Sequence, residues 1–373
     1  MLLGAVVVVA LSLVMVGVGY AYLQYRFSQV TKVEVKHLKV AAVGQPFNVL
    51  LIGSDSRSGE SAADAQHFGT DVGGQRSDVV KIVHIVPGTN QVRVLSIPRD
   101  TVVAVAGDTS VIGKDNRINA TYNTGPDQLV QTIEANFGIP IAHVVQINFE
   151  GFRGAVDAIG GINLDFPYPA KDAYTGLDIT QAGCQHLNGG YALAVARSRH
   201  YQYEKNGYWQ YDGTSDYGRI QRQNAFLKAL IDQAETKYNP LTINALIGSV
   251  ASSVTVDSTF TVADFLSLAR EFHAFAAQSL VTATLPTYGA DSAVFAGLGS
   301  VLYVQQPQAS QVITQFLGGA PEQAVTPPPA PNGVSAAATT TVPGTSSSGG
   351  STPSTNGTSE TTTIETDYDP TPC

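Results

Sequence analysis

Residues 2–23, a stretch of 22, carry no charged side chain. In hydrocarbon every backbone N–H and C=O must be paired inside the segment, so a single span of this kind can only be a helix. It is long enough to cross an apolar core of roughly 30 Å, and whatever follows then folds on one side of a membrane. A cleaved secretory signal is the alternative, but its apolar part would be unusually long, and Gly19-Tyr20-Ala21 is a poor small-residue cleavage site. The expected organisation is a transmembrane anchor over 1–23 and a juxtamembrane connector over 24–46. Arg26 and Lys32 follow the span and only the chain amine precedes it, a charge order that on its own leans against an external domain.

The other end of the chain sets a second limit. Residues 320–369 are dominated by Pro, Ser, Thr, Gly and Ala and contain no Lys or Arg. Such a segment cannot bury a core, so 320–373 is expected to be a disordered tail. The chain has two cysteines, Cys184 and Cys373. Outside the cytosol they are free to pair, and a bond between them would staple the loose tail to the domain. Two free or independently paired thiols are the alternative.

Between these ends, 47–319 reads as one extracytoplasmic domain. Short β-branched runs at 48–53, 79–86, 92–97, 143–147 and 162–166 read as strands. Helical patterns cover 129–137, 152–159, 190–196 and 218–234, with Asn188 and Asp216 as caps for the last two. Thr261 and Asp264 resemble a capping box opening a helix that runs to about 275. Strand 281–285 and helix 308–317 close the domain. Strands and helices in alternation predict an α/β fold, a sheet covered by helices.

The formal net charge is −9, which argues against a nucleic-acid partner, since such partners need a basic face. Lys and Arg together number only 21, yet Arg197, Arg199, Arg219 and Arg222 fall within one short stretch. Arginine keeps its charge and presents a planar fork that matches phosphate oxygens in pairs. Arg219, Arg222 and Gln223 lie three and four apart, on one stripe near a helix N-terminus that already attracts anions. Arg197 and Arg199 share a face only in extended chain. A solvated helix surface would explain one or two of these arginines better than four. Asp55 and Asp78 flank loops at strand ends, where two carboxylates could hold Mg²⁺ or act as turn caps. Arg99 and Asp100 follow a strand and could pair with one another. His200 reads as a packing residue. Trp209 lies in the Tyr-rich stretch 201–217, which could stack on sugar rings or simply pack as a surface loop. Phosphate-loop, nucleophile-elbow and zinc-protease motifs are missing from the sequence.

In combination, several ordered segments resemble the LytR-CpsA-Psr family of cell-envelope glycopolymer transferases. They are 48–57 (NVLLIGSDSR), 76–78 (RSD), 95–100 (LSIPRD), 118–125 (INATYNTG), 147–165 (INFEGFRGAVDAIGGINLD), 187–200 (LNGGYALAVARSRH) and 216–223 (DYGRIQRQ). The resemblance implies a central mixed β-sheet flanked by helices on both sides. It implies a membrane-anchored phosphotransferase, single-pass with its catalytic domain outside the cytoplasm. The reaction would move a glycan phosphate from polyprenyl pyrophosphate to a peptidoglycan sugar hydroxyl. Arg57, Arg99, Arg197, Arg199, Arg219, Arg222 and Gln223 match the pyrophosphate-binding set, and Asp55 and Asp78 match the Mg²⁺ (or Mn²⁺) side. Asp100 is a candidate proton acceptor or an orienting partner of Arg99. The lipid needs a greasy groove, for which the apolar segments 241–254 and 262–275 are candidates unless they are ordinary core helices. Likeness to actinobacterial members suggests arabinogalactan as donor polymer, with teichoic acid or capsule as alternatives. An envelope pyrophosphatase using the same site on water, or a non-catalytic module binding lipid-linked glycan, would share these residues.

Overall fold

The computed structural model describes residues 18–42, 44–54, 77–89, 91–236, 240–251, 253–273, 279–290, 298–319 and 367–373. A seven-stranded mixed sheet forms its centre. Its strands, in chain order, are β1 Thr31–Val33, β2 Phe47–Ser54, β3 Ser77–Val86, β4 Gln91–Ile97, β5 His143–Ile147, β6 Val254–Asp257 and β7 Leu280–Thr284. In space the order is β1-β6-β5-β2-β3-β4-β7. Strands β5 and β2 run parallel, as do β4 and β7, while β2, β3 and β4 form an antiparallel meander.

Seven helices matter here: α1 Pro126–Phe137, α2 Phe149–Ala158, α3 Gly189–Arg197, α4 Asp216–Thr236, α5 Pro240–Val250, α6 Val262–His273 and α7 Gln308–Phe316. One sheet face buries Leu50, Ile52, Val80, Ile82 and Leu95 against α1 and α7. On the other, Val49, Val83, Ile85 and Val94 meet Leu227 and Ile231 of α4 and Leu268 of α6. Burial on both faces explains why the central strands read as continuous apolar runs rather than alternating ones. Helix α1 stops where Gly138 takes φ 65°, the left-handed cap conformation that costs glycine least. Asn188 caps α3 by accepting from the Tyr191 N–H, and Thr261 and Asp264 form the reciprocal capping box.

A second core lies between α2, α3, α4 and a three-stranded sheet of Ile162–Phe166, Gly183–Leu187 and Thr371–Pro372. A four-stranded sheet of Leu177–Ile179, Ala170–Asp172, Gln202–Lys205 and Tyr208–Tyr211 adjoins it.

Three boundaries differ from the sequence reading. Strand β1 lies in the expected connector yet pairs in parallel with β6 at the sheet edge. The segment 241–254 is not one helix, because α5 ends at Val250 and Val254–Asp257 enters the sheet. The tail is not loose to its end. Thr371 and Pro372 pair with Asp165 and Leu164, and a disulfide joins Cys184 to Cys373. Residues 320–366 lie outside the described residues, as do 1–17 of the expected span. Residues 18–27 are helical, but among the described residues no helix is long and apolar enough to cross a membrane.

Candidate active site

A cavity of about 490 Å³ opens between the central sheet and helices α2, α3 and α4. Its body is apolar, with Ile147, Phe152, Val156, Leu193, Phe226 and Leu230 among the lining. Its other end is polar, with Asp78, Lys81, Arg99, Arg197, Arg199, Arg219 and Gln223 on the wall. Among the described residues, the apolar lining comes from the sheet and from α2, α3 and α4, and none of it from 241–254 or 262–275. Helix α6 instead packs with Phe27 and Phe260 in a separate cluster.

Sequence-distant elements build the polar end. Asp78 opens β3, Arg99 follows β4, Arg197 ends α3, and Asp216 and Arg219 occupy the first turn of α4. Arg99 Nη1 binds Asp78 Oδ1, while its Nε lies 3.4 Å from Asp100 and 3.5 Å from Asp216. Asp216 also takes Arg199 Nε at 2.7 Å and Arg219 Nη2 at 3.5 Å. One carboxylate therefore aligns three arginines. Sequence reasoning read Asp216 as a helix cap and missed this role.

Burial opposes the Arg99 charge, but Asp78, Asp100 and Asp216 outweigh it and push its pKa up. Burial pulls Arg219 down to about 10, with Arg99 and Arg199 adding to the effect, and still leaves it charged at neutral pH. Burial would raise the Asp216 carboxyl, yet Arg219, Arg199 and Arg99 hold it below the usual carboxylate range. Arg219 Nε is buried without a hydrogen-bond partner, an unfilled donor beside the cavity.

Two further residues position the cluster. Asp172 Oδ2 accepts from Ser198 Oγ at 2.7 Å and from the backbone N–H groups of Arg199 and His200 at 3.1 and 3.0 Å. That fixes the extended chain following α3, which Arg197 and Arg199 need if they are to face one cavity. Arg197 packs its guanidinium 4.2 Å from the Phe149 ring centroid, at the join between the polar and apolar parts. Gln223 donates to the Ala196 carbonyl at 3.1 Å and ties α4 to α3.

Two expected site residues stand elsewhere. Arg222 is not on the cavity wall. It is 0% exposed, and it binds Asp212 Oδ2 at 2.9 Å, Asp369 Oδ1 at 2.7 Å and the Ser198 carbonyl at 3.0 Å. Three and four residues apart are neighbouring positions on a helix, but Arg222 turns toward the returning tail. Asp100 stands behind Arg99 and also pairs with Arg117 at 3.3 Å. It is not among the residues that line the cavity, and its carboxylate faces Arg99 and Arg117. Asp55 and Arg57 lie outside the described residues.

Lys81 is a polar floor that sequence reasoning did not single out, because it sits in an apolar run. Its Nζ donates to Ser96 Oγ at 2.6 Å and Asn224 Oδ1 at 2.7 Å. Burial, then Arg219, lowers its pKa to about 7 from the ordinary 10.5. Between these values the unfolded chain holds a proton that the folded chain has released, so stability rises with pH in that window. Chemical denaturation at pH 8 and pH 9 should show a gain approaching roughly 1.4 kcal/mol per pH unit. Lys81→Met should lose that slope, and a slope that persists in the variant would assign the titration to another group.

Comparison with known proteins agrees with this geometry. Residues 20–316 match the model of the LytR_cpsA_psr family. The probable cell wall biosynthesis protein LcpB of Corynebacterium glutamicum is 36% identical over 215 residues, 56% of this chain and 48% of that protein. The polyisoprenyl-teichoic acid–peptidoglycan teichoic acid transferase TagV of Bacillus subtilis is 31% identical over 247 residues, 65% of this chain and 56% of that protein. The chain thus spans about half the length of these two relatives. A LytR-Csp2A-Psr enzyme from Actinomyces oris superposes with TM-score 0.61 at 26% identity, over 79% of this chain and 97% of that one. An apolar cavity closed by an arginine cluster, on a mixed sheet of this topology, accompanies a family match across most of the sequence, and the chain belongs to the LytR-CpsA-Psr family.

Proposed function

We propose that this protein transfers a glycan phosphate from a polyprenyl pyrophosphate to a sugar hydroxyl of peptidoglycan. The observation that carries this reading is the continuity of one cavity from an apolar body to an arginine-lined end. A polyprenyl chain fits the first part by burial of apolar surface, and a pyrophosphate fits the second by charge-assisted hydrogen bonds.

In the reaction the acceptor oxygen forms a new bond to the phosphorus that bears the glycan. The phosphoanhydride bond breaks, and polyprenyl phosphate leaves with the electron pair while the hydroxyl proton passes to a base or to solvent. Negative charge grows on the leaving phosphate and the equatorial oxygens. Arg99, Arg199 and Arg219 are held in place by Asp78 and Asp216 before substrate arrives, so little reorganisation is needed as that charge develops. Arg197 lies at the join, where lipid gives way to phosphate. Asp100, through Arg99 and Arg117, keeps the Arg99 fork from turning away.

Mg²⁺ fits this donor set only in part from the protein side. Among the described residues no group of three or more His, Cys, Asp or Glu is placed to hold a metal. Of the two carboxylates on the cavity wall, Asp172 is engaged by Ser198 and the backbone of Arg199 and His200, and Asp78 stands beside the arginines. That suits an ion completed by ligand phosphate and water. We assign Asp78, with Asp55 outside the described residues, as the side chains that would hold it. When bound, the ion would neutralise phosphate charge. The chain's anchoring in the cell membrane by 1–23, with the domain outside, belongs to the same proposal.

The test incubates the full chain in detergent with a polyprenyl-pyrophosphate-linked glycan and peptidoglycan fragments, with and without Mg²⁺. A phosphodiester-linked product that requires both acceptor and Mg²⁺ is expected. Release of glycan phosphate without any acceptor requirement would replace the transferase by a hydrolase. Lipid binding with no turnover would replace it by a binding module.

A further inference from the structure

One face of the small four-stranded sheet carries aromatic rings that the reaction above leaves unused. Gln202–Lys205 and Tyr208–Tyr211 form a hairpin that turns at Asn206 and Gly207, with φ 58° and 78°. Positive φ at both positions is what an Asn-Gly two-residue turn supplies. Alternation along the strands then sorts the side chains. Tyr203 turns inward and stacks on Tyr368 with ring centroids 4.2 Å apart, so the returning tail braces the back of the hairpin. Trp209 and Tyr211 share the opposite face. They lie about 7 Å apart along the strand.

This face leads to the cavity. Tyr211 Oη is 3.1 Å from His200 Nδ1, and the His200 ring lies 4.3 Å from that of Tyr174. Tyr174 and His200 both line the cavity. From the rim outward the row is therefore Tyr174, His200, Tyr211, Trp209. Tyr174 is 72% exposed, Tyr211 53% and Trp209 42%. Lys171 Nζ covers one side of the Trp209 ring at 3.7 Å from its centroid. Glu204 sits across the hairpin from Trp209, and Asp178 across the next strand pair from Lys171.

Rings set in a row on a braced hairpin, with carboxylate and amide groups beside them, match the chemistry of a sugar chain. The C–H faces of pyranose rings stack on aromatic faces, while their hydroxyls need acceptors such as Glu204 and Gln202. The charge beside the rings is mixed, Lys171 with Glu204 and Asp178, whereas anionic bilayer surfaces draw clusters of Lys and Arg. The donor is already held at both lipid and pyrophosphate. An acceptor strand arrives without a tether, so its binding energy must come from a surface that ends at the reacting atoms.

We propose that the row from Trp209 to Tyr174 binds the amino-sugar strand of the acceptor and guides its hydroxyl to the cavity rim. This rests on the transferase reading above. Trp209 is the single tryptophan of the chain, so emission excited at the red edge of the indole band, where tyrosine does not absorb, reports on this residue and needs no turnover. The full chain in detergent is titrated with muramidase-released peptidoglycan oligosaccharides. A saturable change in emission is expected, with the apparent Kd raised roughly fivefold in Tyr211→Ala. In transfer assays Trp209→Ala should raise the acceptor KM far more than the donor KM. No change in emission overturns the proposal, as does a change produced instead by lipid vesicles or by lipid-free donor oligosaccharide. Saturable emission without any transfer would leave this surface standing and remove the transferase reading; transfer without an emission response would do the reverse.

Discussion

Arg219→Ala is expected to lower glycan transfer by about a thousandfold while the domain stays folded. Arg219 reaches three elements at once, through Asp216 in its own helix, the Asp78 carbonyl at 3.3 Å on β3, and the cavity wall itself. It is nearly buried, so its charge acts through protein rather than through water, where an interaction of this kind is worth far more. Removing one preorganised donor from such a site costs roughly 10²–10³-fold, and a cationic side chain aimed at a transferring phosphoryl group can be worth about 10³–10⁵. The fold should survive because Asp216 keeps Arg199 at 2.7 Å and Arg99 at 3.5 Å. Arg219→Lys should recover little, since a lysine offers a point charge in place of the fork. Arg199, about a third exposed, is better screened, and Arg199→Ala should cost less. Initial rates with a lipid-linked donor, beside thermal melts of each variant, check the order. Equal losses for Arg199→Ala and Arg219→Ala would mean that burial does not set the ranking, and normal transfer in Arg219→Ala would remove the arginine cluster from the mechanism.

The fold was legible wherever a strand buries both faces. The runs at 48–53, 79–86 and 92–97 lie within β2, β3 and β4 because continuous apolar burial leaves few other structures for short β-branched segments. β1 was missed because Thr31-Lys32-Val33 pairs on one side only, at a sheet edge, and carries no apolar signal. β6 was missed because apolar runs shared between a helix and a strand look alike in sequence. At the site, clustering of arginines in an acidic chain was enough to mark the polar end of the cavity. Which arginine faces it was not legible. Arg219 and Arg222 are three apart on the same helix, yet Arg219 turns to Asp216 and the cavity while Arg222 turns to Asp212 and Asp369. The partner that claims Arg222 is a tail residue 147 positions away, and no local pattern encodes that distance. Asp172 and Asp216 were missed for a similar reason. A carboxylate that serves by accepting from other residues of the site has no spacing of its own.

Arg222→Met should destabilise the domain by about 3–5 kcal/mol, an effect on folding rather than on chemistry. Arg222 is fully buried over the Tyr201 ring, between Asp212 and Asp369. Removing one partner of a buried charge network leaves the others uncompensated, which costs about this much. The packing is tight as well, since a Cβ at Gly218 would collide with the Asp212 carboxylate and the Thr214 hydroxyl. The pH dependence has a definite sign. Burial would raise the Asp212 pKa, but Thr214 and Arg222 hold it below its ordinary value. Its contribution is therefore present above the unfolded value near 3.8 and is lost as pH falls below it. Without Arg222 the two acids repel at neutral pH and are relieved by protonation, so the deficit of Arg222→Met should shrink as pH falls from 7 toward 4. The tail supplies a second handle. The Cys184–Cys373 bond closes a sequence separation of 189 residues and brings Asp369 to its place. Opening so long a loop removes about 2–4 kcal/mol in typical cases. Because both changes act through Asp369, Arg222→Met and Cys373→Ser should be less than additive in a double-mutant cycle read by denaturant midpoints. Strict additivity would mean that the tail and Arg222 stabilise the domain independently, and a deficit in Arg222→Met that grows on acidification would place the uncompensated charge elsewhere.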